Sequence, residues 1–397
     1  HPHGASARRA ERHDEACGGS RGRPRRGVRG RGGAAAESRE ALAGAPSAAG
    51  HAPPGPIHPA YLRATRAWLK EAVEDPTLYG SGLDVYTAMD VVAQQTSGRL
   101  LGDRLRFLET TLGRRGEAQL EGAAALVDPS TGLLVATWGG TQDLATDFNR
   151  ATQAWRQSGS SIKPLVYALA FTQRDEAGAP SWRAHSTIRN DRHVFKGTDG
   201  WYPRNVGGKY SETSTLAMAL AWSQNVATAS LLESLGGPRA MIVFARRLGF
   251  STRGWREELG LALGTGEVTP HGMARFVATV LDDGRLASGR PVFTAIDADG
   301  AVRVPPPPPR AAVLDPEAAA LTRDLMRLVI EYGTGGAARG AAGALGVRRP
   351  AIGKTGTTDS EKDVWFVGGT PDYAGALWIG YDQPTRIGGS ASDLAAP

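Results

Sequence analysis

Ser160-Ser161-Ile162-Lys163, Ser223-Gln224-Asn225 and Lys354-Thr355-Gly356-Thr357-Thr358 occur in that order, with 63 residues from Ser160 to Ser223 and 131 from Ser223 to Lys354. A serine hydroxyl is a poor nucleophile until a neighbouring base takes its proton. Gly159-Ser160 precedes an apolar run from Ile162 to Phe171, so Ser160 is expected to open a helix. Three residues along a helix turn roughly 300° and rise about 4.5 Å. Lys163 therefore returns to the face of Ser160 one turn later. A free lysine has a pKa of about 10.4 and is protonated; burial and a second cation both lower it, and Lys354 is the obvious second cation. The helix start also offers backbone N–H groups to a developing oxyanion. Pro164 is tolerated in a first turn. The competing reading is an ordinary helix with a surface lysine.

Ser223 and Asn225 interrupt the run Leu216 to Leu232, which is helix-like on both sides. Two polar groups separated by one residue suit a corner that points both side chains into a cleft. Ser223 is then a proton relay between Lys163 and a leaving amine, and Asn225 a holder of a substrate amide through its donor and acceptor. Taken alone, Ser and Asn here would be a helix cap. Ala351 to Thr358 reads as a strand. Gly353 and Gly356 leave room for another backbone, which is where a peptide substrate would lie. Lys354, Thr355 and Thr357 supply a cation and hydroxyls for a carboxylate, with Gly356 between them. The N–H groups of Thr357 and Ser160 are the expected oxyanion hole. The competing reading here is a Gly-Thr turn.

The three ordered segments resemble the S-x-x-K, S-x-N and K-T-G set of penicillin-binding proteins and class A β-lactamases. Further stretches are similar to the transpeptidase domain of class A (bifunctional) penicillin-binding proteins: Phe148-Asn149-Arg150 ahead of Arg156 to Tyr167, Leu263 to Pro270, Asp363 to Pro371, and Gly82 to Asp90. The resemblance spans roughly residues 80 to 382. It implies peptidoglycan stem peptides ending in D-Ala-D-Ala as donors, an acyl-enzyme on Ser160, covalent inhibition by β-lactams, and an extracytoplasmic setting. It also implies a membrane anchor and a glycosyltransferase domain in the parent protein. No apolar run of about 18 residues is present, and nothing maps onto glycosyltransferase catalytic glutamates. The chain is therefore expected to be N-terminally truncated and without glycosyltransferase activity. No cofactor and no metal are expected.

A chain of 397 residues allows two or three domains. Net charge is +6, of which residues 1–56 hold +5, with ten Arg against five acidic residues. The remainder is near neutral and has no basic stripe, so no nucleic-acid partner is expected. The segment 1–56, rich in Arg, Gly, Ala and Pro, lacks the apolar residues for a core and is expected to be disordered; an electrostatic RNA or lipid contact is the alternative for it. Cys17 is the lone cysteine, so no internal disulfide forms. Residues 57–118 carry helical periodicity and read as a linker region. Residues 119–384 read as the transpeptidase domain, and 385–397 as a loose tail. A hairpin from Ala124 to Trp138, turning at Asp128 to Gly132, joins later strands at 351–358, 364–367 and 374–379. The expected fold is α/β of the α+β kind: a five-stranded antiparallel sheet packed between helices, with an inserted all-helical lobe. Pro305 to Pro309 must be a polyproline loop.

Three rival functions use the same residues. A β-lactamase needs a base for water, and Glu257-Glu258 lies 35 residues past Ser223 to the second glutamate. Gly260 stands where a water-orienting asparagine would be expected, and Leu263 to Pro270 follows the transpeptidase pattern. A DD-carboxypeptidase differs only in whether water or an amine resolves the acyl-enzyme. A non-catalytic cell-wall scaffold would be expected to have lost catalytic residues, and all are intact.

Overall fold

The computed structural model describes residues 58–73, 82–112, 119–141, 148–339 and 349–395. The Arg-rich stretch 1–56 lies outside them. In chain order the longer elements are α1 (Pro59–Ala72), β1 (Leu83–Thr87), α2 (Val91–Leu112), β2 (Glu121–Val127), β3 (Leu134–Trp138), α3 (Lys163–Thr172), α4 (Leu216–Ala221), α5 (Asn225–Ser234), α6 (Gly237–Arg247), α7 (Pro270–Leu281), β4 (Val292–Asp297), β5 (Val302–Val304), α8 (Pro316–Glu331), β6 (Ile352–Thr357), β7 (Asp363–Gly369), β8 (Ala374–Gly380) and the short α9 (Ala391–Leu394). The main sheet is antiparallel, in the order β6-β7-β8-β2-β3. This is the expected five-stranded α+β architecture. A second sheet orders β1-β4-β5. Residues 305–309 carry no regular element, as their prolines require.

Strand side chains alternate between faces, and here both faces are covered. Trp365, Val367, Ala376 and Trp378 join the large core with α3, α7 and α8, while Val364 and Ile379 join a second cluster with Leu101, Leu105 and Leu108 of α2. The strands therefore read as continuous apolar runs rather than alternating ones. Helix α3 is buried along nearly its whole length, from Lys163 to Phe171, at the centre of the large core. The helical lobe, α4 to α6, is inserted between α3 and the closing strands.

Two readings of the sequence change. Residues 57–118 are not only a connection: α1 buries Tyr61 and Ala64 in the main core, and α2 roofs the second face of the sheet. Gln94 of α2 also satisfies the outer edge of β3, donating Nε2–H to Thr137 O at 2.7 Å and accepting Thr137 N–H at 2.8 Å. A side-chain amide thus takes the place of a sixth strand on an edge that would otherwise template aggregation. Periodicity marked these helices, but which surface they bury is a tertiary property. The stretch after Pro384 is likewise packed, with Ile387, Ala391 and Leu394 buried in the second cluster.

If α2 is integral, Leu105→Ala should lower unfolding free energy by about 2–5 kcal/mol, the usual range for a buried Leu truncated to Ala. Denaturant titration checks this, and a change near zero would return residues 91–112 to the status of a linker.

Candidate active site

The segment that carries Ser160, the expected nucleophile, is docked by three glycines. Residues 159–162 form a turn of 3₁₀-helix that runs directly into α3, with the Lys163 N–H donated to Ser160 O. Residues three apart eclipse in a 3₁₀ turn, so Lys163 stacks over Ser160 more directly than the expected α-helix would place it. A Cβ on Gly264 would lie 2.1 Å from Gly159 O, and one on Gly356 would lie 2.5 Å from Ser158 O and 2.8 Å from Ser161 N. Gly159 itself has φ of 51°, and its carbon faces Thr357 O. The room at Gly356, read from sequence as space for substrate, is filled by the serine turn; that at Gly353 is filled by Ile330 and Phe366. The approach to the turn is fixed as well: Arg156-Gln157 pairs with Glu267-Val268, and Trp365 Nε1 donates to Gln157 O at 2.8 Å.

Ser223 stands at φ 54°. Helix α4 ends with Ser223 N–H on Leu220 O and Gln224 N–H on Ala219 O, a Schellman closure whose left-handed position normally takes glycine. A β-carbon there is disfavoured, and such strain is typical of functional positions. It turns the Ser223 carbonyl and hydroxyl toward Lys163. Lys163 Nζ donates to Ser223 O at 2.6 Å and Asn225 Oδ1 at 2.6 Å, and lies 3.2 Å from Ser223 Oγ. The amine is fully buried among neutral oxygens. Burial first and the charge of Lys354 second push the Lys163 pKa far down, with Asp359 opposing. When neutral, the amine has two hydrogens for the two short bonds and one lone pair with which to accept a hydroxyl proton. Lys354 is also fully buried and is lowered to about 7 by that burial; its Nζ donates to Thr355 O at 2.8 Å.

Asn225, expected to grip a substrate amide, is engaged at both ends: Oδ1 accepts from Lys163, and Nδ2 donates to Arg204 O at 2.7 Å. It holds Lys163 from behind. The N-terminal amides of α5 are satisfied from outside the helix, because Asn205 Oδ1 accepts from Asn225 N–H at 2.8 Å and Val226 N–H at 3.0 Å. These are orphan donors of a helix start, and nothing in the sequence near Asn225 marks Asn205 as their partner.

A cleft of about 570 Å³ opens over these groups. Ser160, Ser223, Thr355 and Thr357 line it, together with Asn205, Trp222, Thr334, Ser390 and Ser392. Lys163, Lys354, Asn225 and Gly356 lie behind the lining. Strand β6 is an edge strand, and Thr358 N–H bonds inward to Asp363 O. By the alternation of an antiparallel ladder, the Thr357 N–H then points to the free edge, where the serine turn sits. Among the described residues no acidic side chain lines the cleft, and Glu257 and Glu258 are exposed elsewhere. No group of described residues has the make-up of a metal site.

The family model for the penicillin-binding protein transpeptidase domain matches residues 122–393. The chain belongs to this family. Penicillin-binding protein 1A of Neisseria meningitidis is 38% identical over 293 residues, covering 71% of this chain and 35% of the relative. Penicillin-binding protein 1B of Vibrio cholerae is 32% identical over 342 residues, 85% of this chain and 42% of the relative. The chain therefore spans about a third of the length of such relatives. Among solved structures, penicillin-binding protein 1A of Haemophilus influenzae superposes with a TM-score of 0.74 at 18% identity, over 90% of this chain and 71% of that one. PonA1 of Mycobacterium tuberculosis, solved with penicillin V, gives 0.68 at 25% identity, over 86% and 91%. The family match reaches Asp393, in keeping with the packed C-terminal turn. No described helix is long and apolar enough to cross a membrane.

Two consequences of this geometry are measurable. Gly356→Ala must displace the serine turn, so acylation should fall on the order of 100-fold, the scale of a misplacement of about 1 Å; Gly353→Ala meets only the side-chain ends of Ile330 and Phe366, not the serine turn, and should leave acylation within a few-fold. The second is a stability slope. Lys354 binds its proton less tightly when folded than when unfolded, so the burial penalty is complete below about 7 and is relieved as pH rises from there toward the unfolded value. Unfolding free energy should thus rise with pH between about 7 and 10, and Lys354→Met should flatten that rise; an unchanged slope would show that Lys354 is not a depressed lysine.

Proposed function

We propose that this chain is a peptidoglycan DD-transpeptidase that cross-links stem peptides through an acyl-enzyme on Ser160. The observation that carries the reading is the buried Lys163, its pKa pushed down, held on Ser223 and Asn225 one turn after Ser160, behind a cleft edged by Thr355 and Thr357. Ser160 Oγ attacks the carbonyl between the two D-Ala residues, and its proton passes to Lys163. The oxyanion forms against the N–H groups of Ser160 and Thr357. The Ser223 hydroxyl relays the proton to the departing D-Ala amine, and the peptide bond is exchanged for an ester on Ser160. An acceptor amine then attacks that ester and restores the serine. The substrate carboxylate lies on Thr355 and Thr357; its charge holds Lys354 protonated, and that cation in turn keeps Lys163 neutral. β-lactams acylate the same serine. The working location is the outer face of the cytoplasmic membrane, where the parent protein is anchored.

The cleft lining favours this reading over a β-lactamase, because among the described residues no carboxylate lines the cleft where it could activate water on the ester. The DD-carboxypeptidase alternative shares every residue and is separated by product: an amine acceptor should divert the acyl group into cross-linked peptide rather than hydrolysed peptide.

Fluorescent penicillin should label the peptide bearing Ser160, and Ser160→Ala should abolish the label. Lys163→Arg, which stays protonated, should slow acylation by roughly 10²–10⁴-fold, the usual worth of a general base. Intact mass should find the adduct persisting over many minutes. An adduct on Ser161 or Ser223, or loss within seconds that Glu257→Gln or Glu258→Gln prevents, would overturn the assignment.

A further inference from the structure

Thr334 lies in the loop after α8, between Gly333 and Gly335, and each of its polar groups is committed to a different wall of the cleft. Its N–H donates to Ala221 O at 3.1 Å, at the end of the helix that presents Ser223. Its carbonyl accepts Ser392 Oγ–H at 2.8 Å, from the C-terminal turn. Its hydroxyl meets the Thr355 hydroxyl at 2.9 Å. The loop packs directly on the helix end, since a Cβ on Gly333 would collide with Ala221 O. The same C-terminal turn reaches Thr357, where Ala391 N–H donates to Oγ1 at 3.0 Å.

These bonds orient the Thr357 hydroxyl proton and allow the Thr355 proton to be oriented in the same way. A threonine hydroxyl has one hydrogen to donate and two lone pairs. The lone pair of Thr357 that faces Ala391 is occupied by a donor with no acceptor capacity, so the Thr357 proton is turned away, toward the cleft it lines. The Thr334 hydroxyl can donate to Thr355 while the Thr334 backbone is held from both sides, which leaves the Thr355 proton for the cleft as well. An anionic ligand then meets two donors instead of a donor and a lone pair.

We infer that Thr334, buttressed by Ser392, is a positioning and specificity residue that sets Thr355 as a hydrogen-bond donor and makes the cleft select ligands bearing a free carboxylate. This rests on the reading of Thr355 and Thr357 as the carboxylate-binding edge. Thr334 makes no covalent contribution and acts through Thr355.

The test compares acylation of the chain by penicillin V with acylation by its methyl ester, in wild type, Thr334→Val, Thr334→Ser and Ser392→Ala. Thr334→Val should reduce the acid-over-ester preference about ten-fold or more, the scale of a lost hydrogen bond to a charged group, chiefly by weakening capture of the acid. Thr334→Ser keeps the hydroxyl and should retain the preference. Ser392→Ala, which frees only the carbonyl of Thr334, should lower it by a few-fold and serves if the valine variant does not fold. Equal losses for acid and ester, failure of serine to preserve the preference, or no change in Ser392→Ala and Thr334→Val would each overturn the inference. Absence of any Ser160 adduct in wild type would instead overturn the transpeptidase reading.

Discussion

A fully buried lysine amine whose hydrogen-bond partners are neutral oxygens is the constraint on which the rest of this structure depends. A charged ammonium in that position would carry a desolvation penalty of several kcal/mol, and that burial pushes the Lys163 pKa well below the usual lysine range. That arrangement requires acceptors for two hydrogens, an enclosed site and a second cation nearby. The fold supplies all of these from separate parts of the chain: Ser223 and Asn225 from the helical lobe, the core packing of α3, and Lys354 from the edge strand.

Holding those parts together uses close backbone approach more than side-chain contact. The serine turn is wedged between β6 and the 259–264 segment, with Gly159, Gly264 and Gly356 in contact where any side chain would collide with backbone. Strain is concentrated at Ser223, which takes a left-handed conformation at a helix end so that its hydroxyl and carbonyl both face the lysine. Polar groups at the edges of the site are satisfied by residues far away in sequence, as with Asn205 beneath α5 and Gln94 along β3. The C-terminal turn belongs to the same scheme, because it closes the cleft over Thr357 and Thr334.

The architecture was legible where a local rule sufficed. The hairpin at 124–138 and the strands near 354, 364 and 374 follow from apolar runs and turn residues, and the serine-lysine pair follows from helical spacing. Local rules did not decide where the same residue could serve two purposes. Gly356 was open space in the sequence and is a docking surface for the serine turn in the structure. Asn225 had a free amide in the sequence and has both ends engaged in the structure. The helices of 57–118 and the turn after Pro384 carried periodicity or nothing distinctive, and gave no indication of which surface they cover.

The sequence by itself determined the order of the three motifs, the strands and helices that carry them, and the chemistry available to serine, lysine and threonine at those spacings. Only the tertiary structure decided which groups face the cleft and which support it from behind, that burial pushes the Lys163 pKa down, and that Thr334, Asn205 and Ser392 belong to the site. The reason is physical: spacing within a helix or strand is a local geometric property, whereas desolvation, hydrogen-bond satisfaction and close glycine contact arise only when segments distant in the chain are brought within a few ångströms of each other.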